Sequence, residues 1–192
     1  MSDDRTITPL PTGLWSQPTV DTSAVADALD GTETVQRVRQ PASIRYDFVP
    51  GVATTRFLKG LANKQIFGER DPLTGDVYVP PRGVCPVSAQ PTTEQVELSH
   101  KGSVSSFCVV HIGFGTNAPP TPFCSALILL DGAVISLYGP IQEIPYDQVR
   151  IGMRVEAVWA DDADLSPSFE SIKWWRPIDE PDVAAETLKG HM

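Results

Sequence analysis

A series of short apolar runs in the second half of the chain constrains the fold more than any other feature. Apolar and polar residues alternate, as in half-buried strands, over 95–98, 103–112, 123–130, 133–138, 152–159 and 169–176. The 192 residues include 18 prolines and 14 glycines, which break the chain into short pieces and disfavour long helices. The pattern therefore predicts a mainly β protein.

Turn signals between these runs predict how the strands connect. Lys101-Gly102 interrupts the first long run, and a glycine there permits the sharp bend that the first strand of a small barrel needs. Asp131-Gly132 separates the second and third strands and is a strong hairpin signal. A one-turn connector over 145–150 precedes the fourth strand. Five strands connected in this way predict an OB-fold barrel over residues 93–177.

A short helix and a hairpin are predicted upstream of the barrel, in residues 45–92. Thr54 or Thr55 can cap a helix whose apolar face carries Phe57, Leu58, Leu61 and Ala62. The opposite face carries three basic residues: Arg56, Lys59 and Lys64. This basic face is either solvated or contacts an anion such as a CoA phosphate.

Residues 71–88 have the outline of a zinc ribbon, in which two C-x-x-C turns flank a short hairpin. The four ligand positions are occupied by Asp71, Thr74, Cys85 and Ser88. Tetrahedral structural zinc is held mainly by thiolates and imidazoles, and one thiol with three oxygen groups does not make a tight site. We therefore predict a degenerate ribbon without zinc, stabilised by Tyr78 and the rigid Pro80-Pro81 pair, and no cofactor.

The two ends of the chain differ from its middle. Residues 1–44 are rich in Thr, Pro, Asp and Ser and predict an N-terminal arm, either packed on the protein or disordered. Trp15 in this arm is a candidate contact with a partner subunit. Residues 178–192 are predicted to be an acidic tail.

Composition excludes several classes of function. The net charge of -9 opposes binding to nucleic acids and anionic membranes, although Phe107, Tyr138 and Trp159 could stack on bases in an OB-fold. The chain shows no signal peptide and no apolar run of the roughly 20 residues that span a bilayer. Cys85, Cys108 and Cys124 form no C-x-x-C pair and point to reduced thiols. A cytoplasmic location is expected.

No group of residues predicts catalysis. Cys108 and His111 lie three residues apart on a strand, so their side chains point to opposite faces. Cys124 lies in an apolar strand and is expected to be buried. In the loop before the second strand, Phe114 is a candidate contact with a partner or an acyl chain. Trp174 and Trp175 also point to opposite faces, so that one is core and the other is an interface residue or is covered by the arm.

The order of these elements resembles the acyl-CoA-associated OB-fold family catalogued as domain of unknown function thirty-five, over residues 52–176. The segments that carry the resemblance are 77–86 with its Pro-Pro-Arg turn, 101–104, and 150–155 with its Gly-Met pair. Members of that family pair a rubredoxin-like zinc ribbon with an OB-fold and associate with thiolase-superfamily enzymes. Those partners include lipid-transfer-protein-type thiolases and aldolases that shorten steroid side chains as CoA thioesters.

The resemblance implies a non-catalytic accessory subunit of a hetero-oligomer with a thiolase-like aldolase or thiolase, sharing an acyl-CoA substrate with that partner. Three of the four ribbon cysteines are missing, so the zinc of the family is not carried over. Candidate contacts with the partner or with acyl-CoA are Trp15, Arg56, Lys59, Arg82, Phe114, Trp174 and Trp175. The alternative is a stand-alone OB-fold module that binds a ligand or nucleic acid.

Overall fold

One helix precedes the strands in the part of the chain that the computed structural model describes, which comprises residues 31, 44, 46–113 and 120–190. Helix α1 (Val52–Leu61) begins after Gly51, and the N–H of Thr55 donates to the Gly51 carbonyl at 2.9 Å. The prediction that Thr54 or Thr55 caps the helix is wrong, because both lie inside its first turn. Phe57 and Leu61 are buried as predicted. No helix in the described ranges is long and apolar enough to cross a membrane.

A three-stranded antiparallel sheet follows the helix and forms the ribbon. Strands β1 (Ile66–Arg70), β2 (Val77–Tyr78) and β3 (Glu94–Leu98) are arranged in the order β2-β1-β3. The sequence analysis joined residues 95–98 to the first barrel strand. In the structure they pair instead with β1, from Ile66 opposite Leu98 to Arg70 opposite Glu94. Leu98 is buried in the common core and provides the apolar contact that holds this pairing.

The remaining five strands form a closed barrel: β4 (Lys101–Val110), β5 (Phe123–Leu130), β6 (Leu137–Ile141), β7 (Arg154–Trp159) and β8 (Ile172–Pro177). Their order around the barrel is β4-β5-β6-β8-β7, with β6 and β8 parallel and the other pairs antiparallel. This arrangement confirms the predicted OB-fold. Single 3₁₀ turns occur at Tyr146–Gln148, as predicted for the connector, and at Phe169–Ser171 and Ala185–Leu188.

The third barrel strand lies further along the chain than predicted. The expected strand was 133–138, directly after the Asp131-Gly132 turn, whereas β6 begins at Leu137. The intervening residues leave the barrel and reach the ribbon, where the N–H of Val134 donates to the carbonyl of Val77 at 3.0 Å. A two-residue hairpin is therefore excluded by a contact between two elements that are far apart in sequence. The fourth and fifth strands are also shorter at their starts than the predicted runs, beginning at Arg154 and Ile172.

The ribbon, helix and barrel share one hydrophobic core. Phe57 and Leu61 from α1 and Leu98 from β3 belong to the same cluster of buried residues as Ile128 and Trp175 of the barrel. The ring of Phe57 also lies 5.2 Å from the ring of Phe169, in the 3₁₀ turn before β8. The described residues from 47 to 190 form one compact unit.

The segment that was predicted as an acidic tail is held against the barrel over its described part. The N–H of Ile178 donates to the carbonyl of Arg154 at 3.1 Å, and that of Val183 to the carbonyl of Gly152 at 2.9 Å. Arg154 is buried and pairs with Glu180 at 3.0 Å, as well as with Asp131 at 2.6 Å. Asp182 pairs with Arg150, and Leu188 is buried. The acidic residues therefore neutralise basic residues of the barrel.

Gly152→Ala is expected to loosen this C-terminal segment. Gly152 has a φ of +88°, and a Cβ there would lie 2.1 Å from the carbonyl oxygen of Val183. A side chain at a residue with positive φ lowers the free energy of unfolding by about 1–3 kcal/mol. The clash with the carbonyl oxygen would also displace Val183. Urea unfolding should show the loss, and hydrogen exchange should show faster exchange at Val183. Gly51→Ala is the matched control, because Gly51 has negative φ and open space around it; equal stability of the two variants would contradict the packing.

Candidate functional site

The four positions that correspond to zinc ligands lie together at the end of the ribbon. The Asp71 side chain is 0% exposed, and its Oδ2 accepts a hydrogen bond from the hydroxyl of Thr74 at 3.3 Å. Hydrogen bonding lowers the pKa of the Asp71 carboxyl, first through the Cys85 side chain and then through the N–H of Leu73, with smaller effects of Ser88 and Thr74. We call these four residues, Asp71, Thr74, Cys85 and Ser88, the turn cluster.

Two turns with the same backbone hydrogen bonds carry the turn cluster. In the first turn, the N–H of Gly75 donates to the carbonyl of Asp71 at 2.9 Å, and the N–H of Asp71 donates to the carbonyl of Asp76 at 2.8 Å. In the second, Ala89 donates to Cys85 at 3.0 Å, and Cys85 donates to Gln90 at 2.9 Å. The fifth residue of each turn has positive φ, +79° at Gly75 and +56° at Ala89. The ribbon therefore keeps paired turns although its side chains have changed.

The anchor side chain of each turn accepts hydrogen bonds from the backbone that follows it. The Sγ of Cys85 accepts from the N–H groups of Val87 and Ser88, both at 3.4 Å. Asp71 Oδ1 accepts from the N–H of Leu73 at 3.0 Å, two residues further on, as Cys85 Sγ does from Val87. A carboxylate thus occupies the place of a thiolate in the first turn and satisfies the same kind of donor.

The side chains of the turn cluster do not fit a structural zinc ion. They supply one thiol, one carboxylate and two hydroxyls, and serine and threonine hydroxyls are poor ligands for zinc. Across the described ranges, no group of three or more His, Cys, Asp or Glu side chains is placed to hold a metal. The Thr74 hydroxyl instead donates to the Asp71 carboxylate, and the Cys85 side chain lowers the pKa of that carboxyl. The absence of zinc remains a prediction, which rests on the chemistry of these four side chains.

Asp71→Asn should change the pH dependence of stability. The pKa of Asp71 is below its ordinary 3.8 in the folded protein, so its contribution is present above that pH and is lost as the pH falls through the folded pKa. We expect Asp71→Asn to lower the free energy of unfolding at neutral pH, and the difference from the wild type to shrink below pH 3.8. Urea titrations from neutral to acid pH measure this. Asp164→Asn, at an exposed position, is the control. A difference that stays constant with pH would contradict the assignment.

A buried tyrosine packs beside the turn cluster. Tyr78 is buried, and burial together with the Cys85 side chain raises the pKa of its hydroxyl to about 12. Val79 and Pro81 are buried next to it. Tyr78 and Pro81 are buried and Pro80 is half-buried, and that these residues stabilise the ribbon in place of a metal stays a prediction.

Sequence reasoning missed a second buried carboxylate in the ribbon. Glu69 is buried in β1, and its Oε2 accepts hydrogen bonds from the N–H of Gly83 at 3.0 Å and from the hydroxyl of Thr92 at 2.7 Å. These bonds fix the Pro-Pro-Arg-Gly turn and so the position of Arg82. The only sign of this buried carboxylate in the sequence is an acidic residue within a short strand. Such a residue is equally typical of a sheet edge that faces solvent.

Three of the predicted contact residues are basic. Arg56, Lys59 and Arg82 are exposed, and none of them forms an ion pair in the described part of the chain, whereas Lys64 pairs with Asp162 at 2.6 Å. Arg82 lies beside α1, because the hydroxyl of Thr54 donates to the carbonyl of Pro81 at 3.4 Å.

The two adjacent tryptophans differ in exposure, as their opposite directions predict. Trp174 is half-buried, and its indole N–H donates to Glu143 Oε1 at 2.8 Å. Trp175 is 1% exposed in the barrel core, so the expectation that it contacts a partner across an open surface is wrong. The candidates Trp15 and Phe114, and most of the predicted arm, lie outside the described residues.

The tips of the two turns expose apolar side chains. Leu73, between Asp71 and Thr74, is 71% exposed, and Val87, between Cys85 and Ser88, is 76% exposed. Val84, at the base of the second turn, is also exposed. The paired turns beneath fix the positions of these side chains. We call Leu73, Val84 and Val87 the turn-tip surface.

Together, the barrel and the paired turns define an OB-fold protein with a two-turn β-ribbon on the N-terminal side of its barrel. Residues 95–160 match the family model described as ChsH2, C-terminal OB-fold domain. Over 96 residues the chain is 38% identical to a DUF35 domain-containing scaffold protein of Methanocaldococcus jannaschii, covering 49% of this chain and 67% of the relative. The chain belongs to the DUF35 family.

Solved structures share the fold. A chain of the Ltp2-ChsH2(DUF35) aldolase is similar with a TM-score of 0.51 and 21% identity, over 68% of this chain and 98% of that chain. A DUF35-family protein of unknown function from Sulfolobus solfataricus is similar with a TM-score of 0.50 and 21% identity, over 67% of this chain and 85% of that one.

Proposed function

We propose that this protein is an accessory subunit of a hetero-oligomeric complex with a thiolase-superfamily enzyme, either an aldolase or a thiolase. The turn-tip surface is the observation that carries the proposal. Large apolar side chains on a rigid surface lose little conformational entropy when a partner covers them, and such side chains are typical of interface cores. The scaffold name of the Methanocaldococcus jannaschii relative and the aldolase complex in which a similar fold occurs support the same function.

The arrangement of reactive groups also supports an accessory function. Within the described ranges, no serine, threonine or cysteine side chain hydrogen-bonds to a histidine. Burial raises the pKa of the Cys124 thiol to about 11, which keeps it protonated and unreactive at neutral pH. His100 accepts a hydrogen bond from the indole of Trp159 at 3.3 Å and is engaged in packing.

We further propose that the complex acts on acyl-CoA thioesters, as in steroid side-chain degradation, and that it is cytoplasmic. The exposed basic groups of Arg56, Lys59 and Arg82, which form no ion pair with the described residues, support contact with the phosphates of CoA held by the partner. The described cysteines are all free thiols, which supports a reducing compartment.

Co-expression with a thiolase-superfamily enzyme encoded beside its gene tests the proposal. We expect the two chains to co-elute as a hetero-oligomer, and acyl-CoA turnover by the enzyme to depend on this subunit. Leu73→Glu with Val87→Glu should weaken the complex by at least about tenfold, because each places a charge in an apolar contact. Ile151→Glu, at an exposed position before β7, is the matched control.

Two results would contradict the proposal. One is a monomer that turns over an acyl-CoA without a partner. The other is a complex that the Leu73→Glu and Val87→Glu changes leave as tight as the control, since the turn-tip surface would then not be the contact. Circular dichroism of the variants separates loss of binding from loss of folding.

A further inference from the structure

Three large apolar side chains are exposed at the start of α1 and just before it. Phe48 is 69%, Val49 89% and Val52 70% exposed, and none of them belongs to the hydrophobic core. Apolar side chains that are exposed singly are common on protein surfaces, whereas a group of them is typical of a contact with another molecule. We call Phe48, Val49 and Val52 the pre-helix surface.

The pre-helix surface adjoins the turn-tip surface. The first turn of α1 packs against the Pro-Pro-Arg-Gly turn: a Cβ on Gly83 would lie 3.8 Å from the Cβ of Ala53, and the Thr54 hydroxyl donates to a carbonyl of that turn at 3.4 Å. Val52 precedes Ala53 in the chain, and Val84 follows Gly83. The Cα atoms of Val52 and Val84 are therefore no more than about 15 Å apart. One interface of ordinary size, about 30 Å across, can cover both surfaces.

The turn-tip surface alone is too small for a stable complex. Specific interfaces cover about 800 Å² on each partner. The turn-tip surface consists of three aliphatic side chains that are 49–76% exposed, and each supplies less than the about 150–250 Å² that a whole aromatic side chain buries. A stable partner therefore has to cover neighbouring surface as well, and the pre-helix surface adds an aromatic ring and two further valines.

Charge argues against other occupants of these two surfaces. Arg56 and Lys59 on α1 and Arg82 on the Pro-Pro-Arg-Gly turn are exposed, and they form no ion pair with described residues. A symmetric contact with a second copy of this chain would bring the same basic side chains of both copies together. The net charge of -9 opposes an anionic membrane. The occupant that fits is a different protein, with an apolar surface and anionic groups at its edge.

We propose that the pre-helix surface and the turn-tip surface form one continuous interface, which the same enzyme subunit covers. This inference rests on the proposed function and deepens it, because it assigns the start of α1 to the contact with the partner. Phe48 is the aromatic anchor of this part of the interface, since aromatic side chains contribute the largest apolar areas to interface cores.

Two measurements on the complex with the co-expressed thiolase-superfamily enzyme test the proposal. Phe48→Ser with Val49→Ser should weaken the complex by at least about tenfold. The matched control is Ile112→Ser with Tyr138→Ser, which removes one aliphatic and one aromatic side chain of similar exposure from the barrel, and it should bind like the wild type. Hydrogen exchange of the unmutated protein should slow on complex formation over residues 47–52 as well as at both turn tips.

The possible failures are distinguishable. If the turn-tip changes weaken the complex but Phe48→Ser with Val49→Ser binds like its control, this inference is overturned while the proposed function stands. Equal protection of residues 47–52 in the free protein and in the complex would show that the chain itself covers the pre-helix surface. A free protein whose oligomeric state depends on Phe48 and Val49 would assign that surface to a second copy. If no complex forms, both proposals fail.

Discussion

Replacing Asp71, Thr74 and Ser88 by cysteine is expected to turn the ribbon into a tight zinc site. The triple variant would place four thiolates on two turns whose backbones already have matching hydrogen bonds. The N–H groups of Val87 and Ser88 already donate to Cys85 Sγ at 3.4 Å, so the second turn needs no rearrangement. Structural zinc in small domains supplies about 10 kcal/mol or more of apparent binding free energy. A large part of that should appear as zinc-dependent stability.

Metal analysis and unfolding with and without EDTA measure this effect. We expect about one zinc per triple variant and far less in the wild type. Without zinc, the triple variant should be less stable than the wild type, because a thiol accepts the Leu73 N–H more weakly than the Asp71 carboxylate does and the hydrogen bond from Thr74 to Asp71 is lost. Adding Cys85→Ser to the triple variant is the control and should reduce zinc affinity strongly. Tightly held zinc in the wild type would show that the turn cluster has been misinterpreted.

Arg154→Ala is expected to lower the free energy of unfolding by about 2–4 kcal/mol. This is the largest effect that we expect from a single substitution in the barrel. The guanidinium donates to both oxygens of Asp131, at 2.6 and 2.7 Å, to Glu180 at 3.0 Å and to Ser103 at 3.1 Å. The substitution leaves the Asp131 carboxylate without its cation, while Glu180 keeps its ion pair with Lys101. Because both carboxylates are partly exposed, the cost is below that of a fully buried pair.

Arg176→Ala is the matched control for this prediction. Arg176 pairs with Glu156 at 2.7 Å on an adjacent strand, but its side chain is half-exposed. Exposed pairs contribute about 0–1 kcal/mol, so the control should be nearly neutral. Urea unfolding measures the two free energies, and hydrogen exchange at Ile178 shows whether the C-terminal segment is released. Equal effects of the two substitutions would contradict a special role for Arg154.

The features that could be predicted from sequence are those that depend on local pattern. The apolar face of α1, with Phe57 and Leu61, follows from helical spacing, and the presence of five barrel strands follows from alternation and turn signals. The meeting of Asp71 with Cys85 follows from the two-turn outline of residues 71–88. In each case the information lies within one element or in the spacing of two turns.

Features set by contacts between distant residues could not be predicted. Residues 95–98 alternate as a barrel strand would, and only the presence of β1 beside them decides their sheet. The Asp131-Gly132 signal predicts a tight hairpin, but the bond from Val134 to Val77 draws the chain away from it. The sequence predicts a solvated tail at Glu180 and Asp182 because their basic partners, Arg154 and Arg150, are 26 and 32 residues away along the chain and meet them only in the folded structure.

The pairing of β3 with β1 bears on which part of this chain can exist alone. The segment 95–160 that matches the family model contains most of β3 but not β1, and it ends before β8, which closes the barrel. A protein cut to that segment would expose an orphan strand at one end and an open seam at the other, both prone to self-association. The smallest autonomous piece for expression, grafting or gene fusion is therefore the contiguous stretch from α1 to the C-terminal 3₁₀ turn.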